Sequence, residues 1–342
     1  MTKTKPTSAR SHAGNKTVLN PLADDIRAGQ SFELLKELHI LTREGKLNQD
    51  SRRKLKQVYH LYQFIEKLLL ELDNARASMP DSGAAALNSD YSDSRQGQGR
   101  DKLPMAANLT SSGITLADHG AGKSYLGFIL YDLFFKSRAT GHIYGIETRA
   151  ELVEKSRELA LRLGFERMSF LNLTVAQSAQ SDELPESIDL VTALHACDSA
   201  TDDAIAFGLQ KKARFMVLVP CCQAEVARVL SQHKALALSR TPLSELWRHP
   251  LHTREMGSQI TNVLRCLYLE ARGYQVTVTE LVGWEHSMKN ELIIARYTGQ
   301  FKRGAAQRLQ VLLTEFGLQS LLYTRFTGLP DNSPAEVLAI AD

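Results

Sequence analysis

Four short segments of this chain carry residue types that do chemistry. Asp118-His119-Gly120-Ala121-Gly122-Lys123-Ser124 joins a carboxylate to two glycines, which let backbone approach a ligand closely. Glu147 stands 29 residues after Asp118, and an acid at a strand end suits hydrogen bonding to a ribose diol. His195-Ala196-Cys197-Asp198 offers an imidazole and a carboxylate, either of which can take a proton from a hydroxyl. Pro220-Cys221-Cys222-Gln223 offers two thiols. His195, Cys197, Cys221 and Cys222 are of zinc-ligand type, yet no paired C-x-x-C spacing accompanies them, so no metal is expected. Gly122-Lys123-Ser124 could end a phosphate-cradling loop of a nucleotide hydrolase, but that loop needs glycine at 117, which is Ala. The dinucleotide pattern fails as well, because position 125 is Tyr.

These segments need strands and helices to bring them together. GITLAD (113–118), HIYGIE (142–147), MSFLNL (168–173), IDLVTAL (188–194) and RFMVLV (214–219) read as strands, each followed by a helical pattern, the clearest from Glu151 to Gly164. Such alternation predicts an α/β domain with a mostly parallel sheet. YQVTVTELV (274–282) and ELIIARY (291–297) have no room between them for a crossover helix and should pair antiparallel. Ahead of this domain, residues 1–23 read as a disordered basic arm, and 24–78 as a helical region with the stripe Leu55, Val58, Tyr59, Tyr62, Ile65, Leu69 and Leu72. Residues 79–102, rich in small and polar types, read as a linker, 103–300 as the α/β domain, and 301–342 as a helical cap with a helix from about Ala305 to Phe316.

Asp118 before the glycines, Glu147 after the second strand and a terminal hairpin together resemble a class I S-adenosylmethionine-dependent methyltransferase, over roughly Leu103 to Tyr297. The resemblance implies a Rossmann-like sheet of seven strands and S-adenosyl-L-methionine as cofactor. It implies that Asp118, Gly120 and Gly122 meet the methionine part, Glu147 the ribose hydroxyls, Asn172 to Thr174 the adenine, and His195 the neighbourhood of the methyl group. His195-Ala-Cys-Asp and the later cysteine pair are similar to a group of tRNA 2′-O-methyltransferases. GAGKSYLGF (120–128) and Glu285-His286-Ser-Met-Lys289-Asn290 resemble a further group of methyltransferase-domain proteins. Two departures from the tRNA enzymes stand out: Asp198 replaces their glycine, and no cysteine precedes 197 to build their N-terminal zinc-finger elements. By resemblance His195 or Asp198 would be the base. Cys221 occupies the position where RNA 5-methylcytosine enzymes carry a nucleophile. The Asn/Asp-Pro-Pro-Tyr signature for exocyclic amines is absent.

Cys222, Arg254, Arg265, Lys289 and Asn290 are candidate substrate contacts, and Tyr268 and Trp284 candidate base-stacking residues. The formal charge of +3 hides two basic clusters, Lys3, Lys5, Arg10 and Lys16, then Arg52, Arg53, Lys54 and Lys56; without them the chain would be net acidic. Basic charge at one end suits a polyanion such as RNA. No apolar run is long enough for a membrane helix, no secretory signal is visible, and four cysteines in 342 residues fit a reducing cytoplasm. The expectation is therefore a cytoplasmic methyltransferase with an RNA substrate. The rivals are a nucleotide hydrolase and a non-catalytic RNA-binding protein on a degenerate methyltransferase scaffold.

Overall fold

The computed structural model describes residues 26–78, 113–194, 199–220, 224–232, 242–281 and 291–329. Two helices come first, α1 (Phe32–Glu37) and α2 (Gln49–Ala77). Each starts on a polar cap, Ser31 accepting from Leu34 N and Asn48 from Ser51 N, which satisfies amide groups the first turn leaves unpaired. The β/α units follow as β1 (Thr115–His119), α3 (Tyr125–Leu130), β2 (His142–Glu147), α4 (Ala150–Arg162), β3 (Met168–Asn172), α5 (Val175–Gln180), β4 (Leu190–Leu194), α6 (Ser199–Gln210) and β5 (Phe215–Val219). After them come α7 (Glu225–Gln232), α8 (Pro250–Ala271), β6 (Tyr274–Glu280), β7 (Glu291–Tyr297), α9 (Arg303–Glu315) and α10 (Ser320–Thr324).

All seven expected strands form, in one sheet ordered β3-β2-β1-β4-β5-β7-β6. The first five are parallel, and β7 runs antiparallel between β5 and β6. This is the Rossmann-like methyltransferase architecture, with the order reversing beside β1 and the carboxyl ends of the parallel strands at one edge, where open α/β sheets bind ligands. Both faces of the sheet are covered. One core joins α1 to α4 to one face through Leu35, Leu55, Leu69, Phe128, Phe135 and Ile143; the other joins α6 to α10 through Phe207, Leu230, Leu264, Leu309 and Leu321. Among the described residues no helix is long and apolar enough to cross a membrane.

Helix α2 is thus part of the sheet's covering layer. Its expected stripe is buried except for Tyr59, which packs at the margin. Polar ties fix its C-terminal turns where the parallel strands begin. Arg76 Nη2 donates to Asp189 Oδ2 at 2.8 Å, and that same oxygen accepts from Thr115 N and Thr115 Oγ1 at the start of β1. Arg138 Nε donates to Asp73 at 2.9 Å, and Arg296 of β7 pairs with Glu71. Nearer α1, the helix after β1 passes through a π turn (Tyr131–Phe135) whose buried Asp132 accepts from Gln30 Nε2 at 3.0 Å and Ser31 N at 2.7 Å. Shortening a fully buried side chain in this layer removes transfer energy and leaves a cavity. Leu69→Ala, at a position with 0% exposure, should therefore cost about 2–5 kcal/mol in urea unfolding. A loss near zero would show that α2 does not share the core.

Candidate functional site

The parallel register places the candidate acids. Asp118 pairs with Gly145 and His119 with Ile146, so Glu147 ends β2 beside the turn that leaves β1. That turn needs its glycines: Gly120 and Gly122 have φ of 67° and 59°, in the left-handed region that side chains disfavour. Ser124 shares that conformation at φ 51° and opens α3. Gly127 supplies room behind it, since a Cβ there would stand 2.5 Å from Ser124 Oγ.

Glu147 holds the turn from the side. Its Oε2 accepts from Gly122 N at 2.8 Å, and its Oε1 from Arg149 N at 3.1 Å and Arg149 Nε at 3.0 Å, while Arg149 Nη2 reaches Oε2 at 3.2 Å. Burial alone would raise this carboxyl, but the donors from Arg149 and Gly122 overcome it and hold its pKa down to about 2. Asp118, one strand over, behaves oppositely. It is 2% exposed and burial lifts it to about 7, against the hydrogen bond from Thr192 Oγ1 at 2.8 Å. The negative Glu147 adds to the rise. Next to it His119 is also buried, packed on Phe207 of α6 with ring centroids 5.5 Å apart, and burial lowers its pKa to about 4. Neither of its ring nitrogens has a hydrogen-bond partner among the described residues. A buried polar atom left unpaired costs about 1–3 kcal/mol, which a ligand or water at this end of the sheet could recover.

Such a set fits a small molecule carrying a cationic amino-acid end and a ribose. Positive-φ glycines leave backbone open to approach, a permanently ionised carboxylate can accept two hydroxyls, and a buried carboxyl would be driven to its charged form by an ammonium. It fits a nucleoside triphosphate poorly. The Gly122 N–H that a phosphate cradle would use is already donated to Glu147, and Lys123 is exposed.

The other expected site residues lie as follows. Asn172 pairs with Glu147 across β2 and β3, and its Nδ2 donates to the backbone oxygens of Glu147 at 3.0 Å and Thr148 at 2.8 Å, fastening the two strand ends together. Thr174 caps α5 in a reciprocal box with Gln177, which occupies its hydroxyl. Arg254 is exposed near the start of α8 and pairs with neighbouring Glu255 at 3.1 Å. Arg265 is no surface contact for substrate: it is fully buried and bound by both nitrogens of its fork to Asp202. Tyr268 is a core residue whose hydroxyl donates to Thr327 O at 2.8 Å.

His195, Cys197, Asp198, Cys221, Cys222, Trp284, Lys289 and Asn290 lie outside the described residues. The strands leading toward the first five are described, and Leu194 and Val219 are register partners at the ends of adjacent β4 and β5. The thiol that is described, Cys266, is pushed up to about 12 by burial and by Glu291 and Glu270, which makes it a poor nucleophile. Thr192 and Arg149 escaped the sequence reading. Arg149 stands two residues past the acid and was detectable by that spacing, whereas the role of Thr192 depends on the register of β1 against β4.

Residues 102–229 match a family model described as a methyltransferase domain. The matched segment contains the glycine turn, Glu147 and all five parallel strands. A glutathione S-transferase C-terminal domain-containing protein of Xenopus laevis is 22% identical over 237 residues, or 64% of this chain; the chain spans only 37% of that relative's length. An rRNA methylase from Streptococcus thermophilus aligns over 56% of this chain and 89% of its own at 10% identity, with a TM-score of 0.34. A Methanococcus jannaschii fibrillarin pre-rRNA processing protein aligns over 55% and 68% at 11% identity and 0.34. A SAM-dependent methyltransferase from Aquifex aeolicus aligns over 54% and 82% at 18% identity and 0.31.

The raised pKa of Asp118 has a measurable consequence. The folded state keeps a proton that the unfolded chain releases at its ordinary value of 3.8, so this group's contribution to stability is full below that pH and is lost as pH rises to about 7. Asp118→Asn does not titrate. Its melting temperature relative to the parent protein should therefore climb between about pH 4 and pH 7 and level off above. A difference that stays constant across this range would return Asp118 to an ordinary carboxylate.

Proposed function

We propose that this chain, which carries a methyltransferase domain, transfers a methyl group from S-adenosyl-L-methionine to RNA, with a tRNA or rRNA as acceptor. The observation that carries the cofactor is the pair of buried acids, Asp118 and Glu147, flanking one positive-φ glycine turn at the carboxyl end of β1. When bound, S-adenosyl-L-methionine supplies an activated methyl group on a sulfonium. Glu147 would accept the ribose hydroxyls, and its low pKa keeps it ionised at every physiological pH. Arg149, which donates to the same oxygens, must share or yield them. Asp118 would stabilise the ammonium end, and Asn172 holds the adjoining strand end in place. On the acceptor side, His195 or Asp198 would take the hydroxyl proton, or Cys221 would add to a pyrimidine, with Cys222, Arg254, Lys289 and Asn290 beside the substrate.

What supports RNA is the place of the basic charge. The C-terminal turns of α2 are tied where the parallel strands begin, and at 1.5 Å per residue the helix runs back over about 30 Å to Arg52, Arg53, Lys54 and Lys56, all exposed. Leu47, just ahead of α2, and Tyr125, which opens α3 after the glycine turn, both pack against the core that α2 joins. A polyanion drawn to this cluster would lie at the cofactor's end of the molecule.

Two measurements test the two halves of the reading. Glu147→Gln should weaken S-adenosylhomocysteine binding in calorimetry by at least about tenfold, roughly the 1.4 kcal/mol of one charge-assisted hydrogen bond. Labelled methyl should appear in total RNA incubated with the parent protein, and nucleoside analysis would name the acceptor atom. Label found only in protein would remove the RNA assignment, and unaltered affinity in Glu147→Gln would remove the cofactor site.

Neutralising Arg52, Arg53, Lys54 and Lys56 together should flatten the salt dependence of RNA binding, by about 0.7–0.9 in log-log slope for each phosphate that the variant no longer neutralises. An unchanged slope would leave these charges as a solvated helix face.

A further inference from the structure

Arg265 lies in the middle of α8 with no exposed surface. Its Nε and Nη2 donate to Asp202 Oδ1 and Oδ2 at 2.7 and 2.8 Å, and its Nη1 to Asn262 Oδ1 at 3.2 Å. Asn262 Nδ2 in turn donates to Glu291 Oε2 at 2.5 Å. One buried polar chain therefore runs from the first turn of α6, through α8, to the first residue of β7. About two turns from Arg265, α8 also meets α7 at closest range: a Cβ on Gly257 would stand 2.7 Å from Ala227 N.

Burying an arginine and an aspartate costs several kcal/mol per ion, and apolar residues of the same volume often stabilise as well or better. The network is thus poorly explained by stability alone. Its anchor points suggest the alternative. Asp202 follows Asp198 by four residues, Glu291 directly follows Asn290, and Ala227 follows Cys222 by five. Each of the three sequences assigned to the acceptor side runs straight into an element that α8 grips. Yet α8 begins at Pro250, beyond the segment matched to the methyltransferase family.

We infer that Arg265 is a positioning residue for methyl transfer. Through Asp202 and Asn262 it sets the start of α6 against the start of β7, and so sets the acceptor against the cofactor without touching either. The chemistry it serves rests on the methyltransferase reading; the network does not. Rigid placement matters here because a misplacement of about 1 Å can cost around 100-fold in rate.

The test compares the full-length parent protein with the double variant Asp202→Leu/Arg265→Met, which removes both charges together and so leaves neither buried alone. A second variant, Asn262→Ser, cuts the link to β7 while leaving the arginine paired with Asp202, and decides the matter should the double variant fail to fold. Measured for each are melting temperature, S-adenosylhomocysteine affinity by calorimetry, amide exchange in peptides 195–205 and 285–296, and initial rate of methyl transfer to total RNA at saturating cofactor. The expected result is a folded protein with affinity within about twofold of the parent, faster exchange in both peptides for the double variant and in 285–296 for Asn262→Ser, and transfer slowed roughly 100-fold. A folded variant that transfers at the parent rate would overturn the inference, and so would loss of cofactor affinity in step with rate. If the parent itself neither binds nor transfers, the methyltransferase reading falls. The exchange data then stand alone: acceleration confined to the two peptides supports the network's positioning role, and unchanged exchange refutes it.

Discussion

The hydrogen bond from Gly122 N to Glu147 depends on nearly everything else in the domain being in place. It requires parallel pairing of β1 with β2 in a register that ends both strands together, and a turn whose glycines accept positive φ so that the amide faces sideways. It also explains why two carboxyls at the same edge of one sheet differ so widely. Burial presses both toward their neutral forms, but Glu147 receives four donors from Arg149 and Gly122 while Asp118 receives the hydroxyl of Thr192 beside a negative neighbour. Deeper burial of Asp118, together with the charged donor that only Glu147 receives, separates about 7 from about 2. One acid is therefore fixed in charge, and the other is poised to respond to what binds beside it.

The helices ahead of the sheet serve this edge indirectly. Asp132, buried in a π turn, accepts from Gln30 and Ser31, so a widened helical turn becomes the socket for the N-terminal segment. At the opposite end Asp189 gathers Arg76 and Thr115 on one oxygen, which joins α2, β1 and the approach to β4. These contacts span 74 to 113 residues of sequence, and they hold the strand starts rigid while the strand ends are left for ligands.

Much of this was legible from residues alone, and the remainder has a physical reason for being hidden. HIYGIE and ELIIARY form strands with the expected limits; α4 begins one residue before the expected helix and stops two residues short, because frayed last turns are weakly specified. The stripe on α2 announced a buried face, but not which surface it meets, since periodicity is the same against any apolar partner. Asp118 and Glu147 could be paired by spacing, whereas Thr192 could not, because strand register is a property of the assembled sheet. Arg265 misled for a related reason. Charge suggests solvent until a partner is found, and its partner lies 63 residues away on another helix.

Costs and satisfactions are distributed unevenly along the sheet. His119 carries two nitrogens with no partner among the described residues and is held neutral down to about pH 4, Asp118 has its pKa raised to about 7, and Ser124 is bent into left-handed backbone, all within seven residues. Among the described residues no hydrogen bond offsets the burial of this imidazole, where an apolar residue of similar size would carry no such cost. The polar chain through Arg265 makes the same point from the other flank, because it buries an ion pair where apolar residues of the same volume often stabilise as well. Stability given up on both sides of one edge, and recovered where the strands begin, is the signature of an edge shaped for what it binds.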